Sequence, residues 1–468
     1  MEKNHHNANS DRFHERDGFI PIARKDLIQH CLEDGRLCET DQQKFENFCE
    51  ILTAYYHYHF HHKSERLKEA YAPFDPDADI EIKQSSQLDL DRKEADVLEI
   101  FEDLADRANY YAISEEKVRE TFEKETMIKL RTDVDFNEFD RFACYYRGDV
   151  DEETTIKKWG LFKRKIKVDV LQRVLILIKF QDEEFFRNQF HLKNPKGKFN
   201  PDELQFQPGK YYLYLYKNIP KFDLELIFPN VKLSMTWKDR LLFFVPAIGA
   251  AIPVLLKALP QLLLLVFVIA ILVMEESKVR EVLDIGDQDV SDNLKVLTAV
   301  MAVGVALGGL AFKQWSNFKN KKIQFQKLVT ETLFFRNLAS GSSAFHRLVD
   351  SVEEEVCKEI ILVYYHLLAN NHQHLTVAEL DAKIESWMEE KFDRVVDFDV
   401  EAAVKNLTEI RGTIPPDGEV PEPSDMARET SLLRLDDQGR CHLLSLTQSS
   451  YLLDHLWDHI FDHANQPG

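Results

Sequence analysis

Cysteine, glycine and proline are all scarce in this chain: six, sixteen and sixteen among 468 residues. Six cysteines without paired spacing make neither a disulfide framework nor a Cys-x-x-Cys metal site, and they fit a reducing compartment. So little glycine and proline excludes collagen-like and low-complexity chains. Basic residues are in deficit, 59 Lys and Arg against 80 Asp and Glu, a formal charge of -21. That balance excludes a general nucleic-acid binder, which must neutralise phosphates. A glycine-rich phosphate loop, a Gly-x-Ser-x-Gly elbow and a kinase motif set are all missing, so no catalytic residue and no cofactor is assigned. The opening MEKNHHNANSDRFHERDG has no apolar core and carries several acids, so neither a secretory signal nor a transit peptide is expected. What remains is a mixed composition, 44% hydrophobic and 30% charged, in a chain long enough for two to four domains at roughly 100–200 residues each.

Two apolar runs stand out. Residues 241–273 include only Lys257 and Gln261 as strongly polar members and are broken by Pro246, Pro253 and Pro260. Residues 294–312 are apolar apart from one lysine near the start. A bilayer is spanned by about 20 apolar residues, so the expectation is two transmembrane helices, one within 241–273 and one at 294–312. The first is either kinked or preceded by an interfacial helix. Lys232, Lys238 and Arg240 precede the first run and Lys313, Lys319, Lys321, Lys322 and Lys327 follow the second; residues 274–293 between them carry seven acids against two bases, net -5. Basic flanks stay cytoplasmic. The reading is therefore a multi-pass protein of the cell inner membrane, with both termini cytoplasmic and the lipid bilayer as partner. Lys257 is read as snorkelling from a helix bend, with an intramembrane polar position shared with Gln261 as the alternative. Gly304, Gly308 and Gly309 make a small-residue surface that packs membrane helices, within one chain or between copies of a homo-oligomer.

The rest divides by periodicity. Residues 1–129 read as a helical region. A helix over 40–72 opens on the Thr40/Gln43 capping box, carries Phe45, Phe48, Cys49 and Leu52 on one face, and stops at Pro73; another covers 91–109 and a third 114–129. Residues 130–240 form a small α+β module, with strands at 139–147, 171–180 and 211–216. His57 and His61 are an i, i+4 pair and so weak metal candidates, but two histidines leave a zinc site short of ligands. An exposed helix face is preferred there, and also for the Asp-His stripe of 454–463. Residues 313–343 are a basic juxtamembrane helix.

Residues 344–468 have winged-helix order. A helix at 344–369 is followed by one opened by Thr376 and Glu379, one capped by Asp399, and a hairpin turning at Asp437 to Gly439. The helix that would enter a DNA groove, 399–411, carries three acids against two bases. That face repels a duplex, so the expected partner is an unknown protein and not nucleic acid.

Several phrases are familiar together: FIPIARKDL, LKEAYAPFDPDADI, LYLYKNIPKFDLELIFPN, TLFFRNLASGSSAFHRLVDSVEEEVCKEIILVYYHLL, LTVAELDAKIESWMEE and VDFDVEAAVKNLTEI. They cover most of residues 19–411, and the chain resembles the domain of unknown function 3754 family through them. The resemblance implies two spans with soluble flanks and, for want of a transit peptide, a bacterial member. It brings no established activity and no site residue. The expected fold class is thus α+β with two transmembrane helices: a helical N-terminal region, a small α+β module, the two-span region 241–312 and a C-terminal winged-helix-like domain. The expected function is a non-enzymatic scaffold or regulator. The alternatives are an oligomeric small-solute or ion transporter or channel and, more weakly, a membrane-tethered metalloenzyme.

Overall fold

The computed structural model of this chain describes residues 18–78, 86–123, 131–158, 162–234, 333–370, 374–414 and 428–460, with helical positions scattered between 305 and 330. Helix α1 is Arg24–Glu33 and α2 is Glu39–Tyr71. The buried side of α2, including Phe45, Phe48, Leu52, Tyr56, Phe60 and Leu67, follows helical spacing. Pro73 ends it by forcing a tighter 3-10 turn over Ala72–Phe74. Its first residue is Glu39 with Cys38 at the cap, so the helix begins ahead of the Thr40 expected from the capping-box pattern. Helix α3, Gln87–Arg107, is capped by the Ser86 hydroxyl, which accepts the Asp89 N–H. Strand β1, Tyr111–Ile113, and helix α4, Glu115–Glu123, follow.

Two long strands come next, β3 (Phe139–Lys158) and β4 (Phe162–Phe180), after the short β2 (Arg131–Asp133). Helix α5 is Glu183–Lys193, β5 is Tyr211–Pro220, β6 is Lys232–Ser234 and β7 is Asn337–Ser340. One antiparallel sheet has the order β1-β3-β4-β5-β7. Its middle strand β4 is apolar without alternation because both faces are covered: Val174, Leu175, Ile176, Leu177 and Ile178 are all buried. Cross-strand rows Tyr145–Leu175–Leu215 and Ala143–Leu177–Leu213 share one face, and that face joins the helical core. Beyond Pro220, the last β5 residue paired to β4, strands β3 and β4 run on as a two-stranded ribbon. The KNIPK phrase sits at this departure point: Lys221 Nζ lies 2.7 Å from Asp149 and 3.8 Å from Asp169 and ties the end of β5 to both ribbon strands.

Helix α6, Ser342–Ala369, occupies the centre, and every residue from Glu355 to Leu367 is buried. It is packed by α1, α2 and α3, by the sheet, and by α7 (Val377–Phe392) and α8 (Val400–Glu409). The Thr376/Glu379 capping box and the Asp399 cap are both formed. Strands β8 (Arg411–Ile414) and β9 (Arg428–Ser431) pair, and β10 (Leu433–Leu435) and β11 (Cys441–Leu443) make the expected hairpin, turning where Gly439 adopts φ +71°. Helix α9, Leu446–Asp458, closes against α2 and β8. Met1–Glu125, Asp135–Leu224 and Arg336–Gly468 cluster as one compact unit. Thr126–Val134 and Glu225–Phe335 form a second, in which β2 pairs with β6.

The membrane expectation is corrected. Mixed helix and sheet is found, but among the described residues no helix is long and apolar enough to cross a membrane. The two transmembrane helices, and the multi-pass inner-membrane location built on them, are therefore not supported. The physical reason is visible in the two longest of the described helices. In α2, Glu, Lys and His recur along its 33 residues, and α6 carries Glu353, Glu354, Glu355, Lys358 and Glu359 at its middle. Both spend their apolar surface on the protein's own core. The runs 241–273 and most of 294–312, with Lys257, Gln261 and Gly304, lie outside the described residues.

Candidate functional site

The site begins with a row of like charges. In the β3–β4–β5 register, Arg147 stands directly opposite Arg173, and Arg173 opposite Lys217. They continue, by the two-residue period of strands, the face that carries Tyr145, Leu175 and Leu215. Like charges set directly opposite destabilise a sheet, so local stability does not account for this row. Arg147 is buried; one guanidinium N–H donates to the Ala108 carbonyl at 3.1 Å, and its carbon lies 3.9 Å from the Phe19 ring centroid and 4.8 Å from that of Tyr110. Arg173 donates to the Gln172 carbonyl at 2.8 Å. Burial, and then the positive charges of Arg147 and Arg347, pull the Arg173 guanidinium below its ordinary pKa.

These arginines line a cavity of about 670 Å³. Arg147 and Arg173 supply its sheet wall, and the extended segment Phe19–Ala23 another. Arg347, Asp350, Ser351 and Glu354 of α6 supply the third, with Arg347 and Asp350 exposed at the mouth.

Glu353, Glu354, Glu355 and Glu359 of α6 are engaged elsewhere. Glu354 accepts the Arg24 backbone N–H at 2.7 Å and lies 3.6 Å from the Arg24 guanidinium. Glu353 pairs with His57 at 2.9 Å and with Arg24 at 3.8 Å. Glu355, fully buried, accepts the Ile20 N–H at 2.7 Å and pairs with Lys358 at 2.8 Å, while Lys358 donates to the Ile20 carbonyl at 2.6 Å. Asn109, in the left-handed region at φ 56°, donates to Glu359 at 2.9 Å and to the Gly18 carbonyl at 3.2 Å. Burial, and then the Glu355 charge, push the Glu359 carboxyl well above the usual carboxylate range. The acidic run SVEEEVCKE is thus a clamp for residues 18–24. Among the described residues, no carboxylate forms an ion pair with Arg147, Arg173 or Arg347.

The residues singled out in the sequence fall elsewhere. His57 is taken up by Glu353, and His61 is exposed on the same helix. His62 pairs with the Tyr58 hydroxyl at 2.8 Å. Among the described residues no group of three or more His, Cys, Asp or Glu side chains could hold a metal ion. Gly308 and Gly309 are helical, and among the described residues nothing lies within 4 Å of a Cβ built on either. Arg147, Arg173 and Arg347 drew no attention in the sequence. A lone arginine between apolar residues, as in ACYYRGD and LQRVLILIKF, was the available signal, but only the strand register makes the two face each other.

Fold and site together define a mixed helix-and-sheet protein with a cationic, small-molecule-sized pocket. Residues 171–343 match the family model described as Protein of unknown function (DUF3754). No curated protein and no solved structure matches the chain.

Proposed function

We propose that the protein is a non-enzymatic regulator whose arginine-lined pocket binds a small anion. The observation that carries this reading is the Arg147–Arg173 pair, set opposite in the sheet at a cavity whose acids Glu354 and Glu355 already serve residues 18–24. Proteins that break a local stability rule tend to do so at functional sites, and converging guanidinium groups are suited to bidentate recognition of oxyanions. The pocket size falls in the ~300–1,000 Å³ range of small-molecule sites. The regulator reading is further supported by the want of catalytic motifs in the sequence, and it retains an unidentified protein partner for the α7–α8 surface.

A ligand that binds only the folded state stabilises it by about 2.7 kcal/mol at one hundred times its dissociation constant. Thermal unfolding of the full-length protein in phosphate or citrate, against chloride at equal ionic strength, is the test. The expected result is a higher Tm in an oxyanion for the wild type and a much smaller gain for Arg173→Gln. Equal gains in the two proteins would sink the reading, since a general salt effect does not depend on Arg173.

A further inference from the structure

The pocket's charges narrow the anion further. Lys358 is neutralised by Glu355, and Glu354 by Arg24. Among the charged residues lining the cavity this leaves three arginines against Asp350, an excess of two positive charges. A monocarboxylate leaves part of that excess uncompensated, whereas a phosphate monoester carries about -1.5 to -2 at neutral pH. Size argues next. A cavity of about 670 Å³ is far larger than one phosphate group needs, so the charge must be joined to an organic body. The α6 part of the lining is polar: Asp350 brings a carboxylate and Ser351 a hydroxyl, while Glu354 is held by Arg24. The Asp350 carboxylate repels a second anionic group but accepts hydrogen bonds from hydroxyl groups.

We propose that the pocket recognises a small phosphate monoester whose body carries hydroxyl groups, with the phosphate at Arg147, Arg173 and Arg347 and the hydroxyls at Asp350 and its neighbours. This rests on the anion-binding reading above and adds the ligand class to it. Arg347 and Asp350, three residues apart at the exposed start of α6, would read the two ends of such a ligand from one helical turn. The phosphate would lie against the guanidinium groups of the sheet row and displace water from them, and no covalent step is involved.

The test is calorimetric titration of the full-length protein with glycerol phosphate, ribose 5-phosphate and glucose 6-phosphate, and with inorganic phosphate, free glucose and citrate as comparators. At least one ester should bind tenfold or more tightly than inorganic phosphate and than citrate, and free glucose should give no heat at the same concentrations. Arg347→Gln, at an exposed position that leaves the core intact, should weaken the ester and inorganic phosphate by a similar factor of ten or more. Asp350→Asn should bring the ester to within a few-fold of inorganic phosphate and leave inorganic phosphate unchanged. Citrate binding as tightly as every ester would overturn the phosphate class and leave anion binding standing. Inorganic phosphate matching every ester, or an unchanged preference in Asp350→Asn, would overturn the hydroxyl assignment. Failure of every anion to bind would remove both this inference and the reading on which it rests.

Discussion

At the residue scale, buried charge carries more of this structure than its composition suggests. Lys358 is 1% exposed and Glu355 0% exposed, and they hold both the N–H and the carbonyl of Ile20. Removing one member of such a pair strands the other without compensation, which costs about 3–5 kcal/mol. Lys358→Met should therefore lower the urea-unfolding free energy by about that much. Adding Glu355→Gln should recover part of it, because the stranded charge is gone.

His366 makes a second case. It is fully buried, its ring meets Trp387 edge-on at 5.4 Å, and burial above all lowers its pKa to about 3. The unfolded chain binds a proton near the ordinary value of about 6.5, and the folded one does not until about pH 3. Between those limits the unfolded state holds more protons, so stability is fully present above about 6.5 and is lost as the pH falls. Chemical unfolding of the wild type and His366→Leu at pH 7 and pH 4.5 should show a smaller drop in the variant. An equal drop would mean that other groups set the acid limb.

At the scale of elements, the β3–β4 pairing positions the site. Gly148 follows Arg147 with φ +74°, and a Cβ there would press on the Gln172 Cβ at 2.8 Å. Gly148→Ala meets both the left-handed backbone cost, roughly 1–2 kcal/mol, and this clash. A loss of more than about 1 kcal/mol in stability is expected, together with weaker oxyanion binding, because Arg147 is the next residue along. Helix α7 offers a contrast. Its Thr376 hydroxyl accepts the Glu379 N–H, and the Glu379 side chain accepts the Thr376 N–H. Thr376→Ala should cost about 1 kcal/mol without altering anion binding, since α7 does not line the pocket. Titration of the two variants with phosphate separates the effects.

At the scale of the whole molecule, α6 explains why segments far apart in sequence share one unit. A helix buried all round needs cover on every side. The segment 342–458 supplies only part of that cover, through α7, α8 and α9; α1, α2, α3 and the sheet supply the rest. A fragment of residues 340–468 alone would leave Val352, Val356, Ile360 and Val363 short of partners. It should unfold without a sharp thermal transition, while the full chain shows one. A sharp transition in the fragment would show that α7 to α9 suffice.

Much of the secondary structure was legible from local physics. The 3.6-residue spacing of α2, the capping box at Thr376, the continuous apolar run of β4 and the turn at Asp437 to Gly439 each depend on neighbouring residues. The mixed helix-and-sheet class follows from these periods. Apolar length alone suggested membrane spans, and that is where local reading failed to match the described helices, none of which is long and apolar enough to be one. Tertiary structure decided what depends on long-range register and packing. It set Arg147 opposite Arg173, turned Glu354 and Glu355 of α6 toward residues 18–24, and buried His366 without a polar partner. A one-residue slip of β4 would send Arg173 to the other face of the sheet, so the pocket exists only once the sheet, α6 and the N-terminal segment have come together.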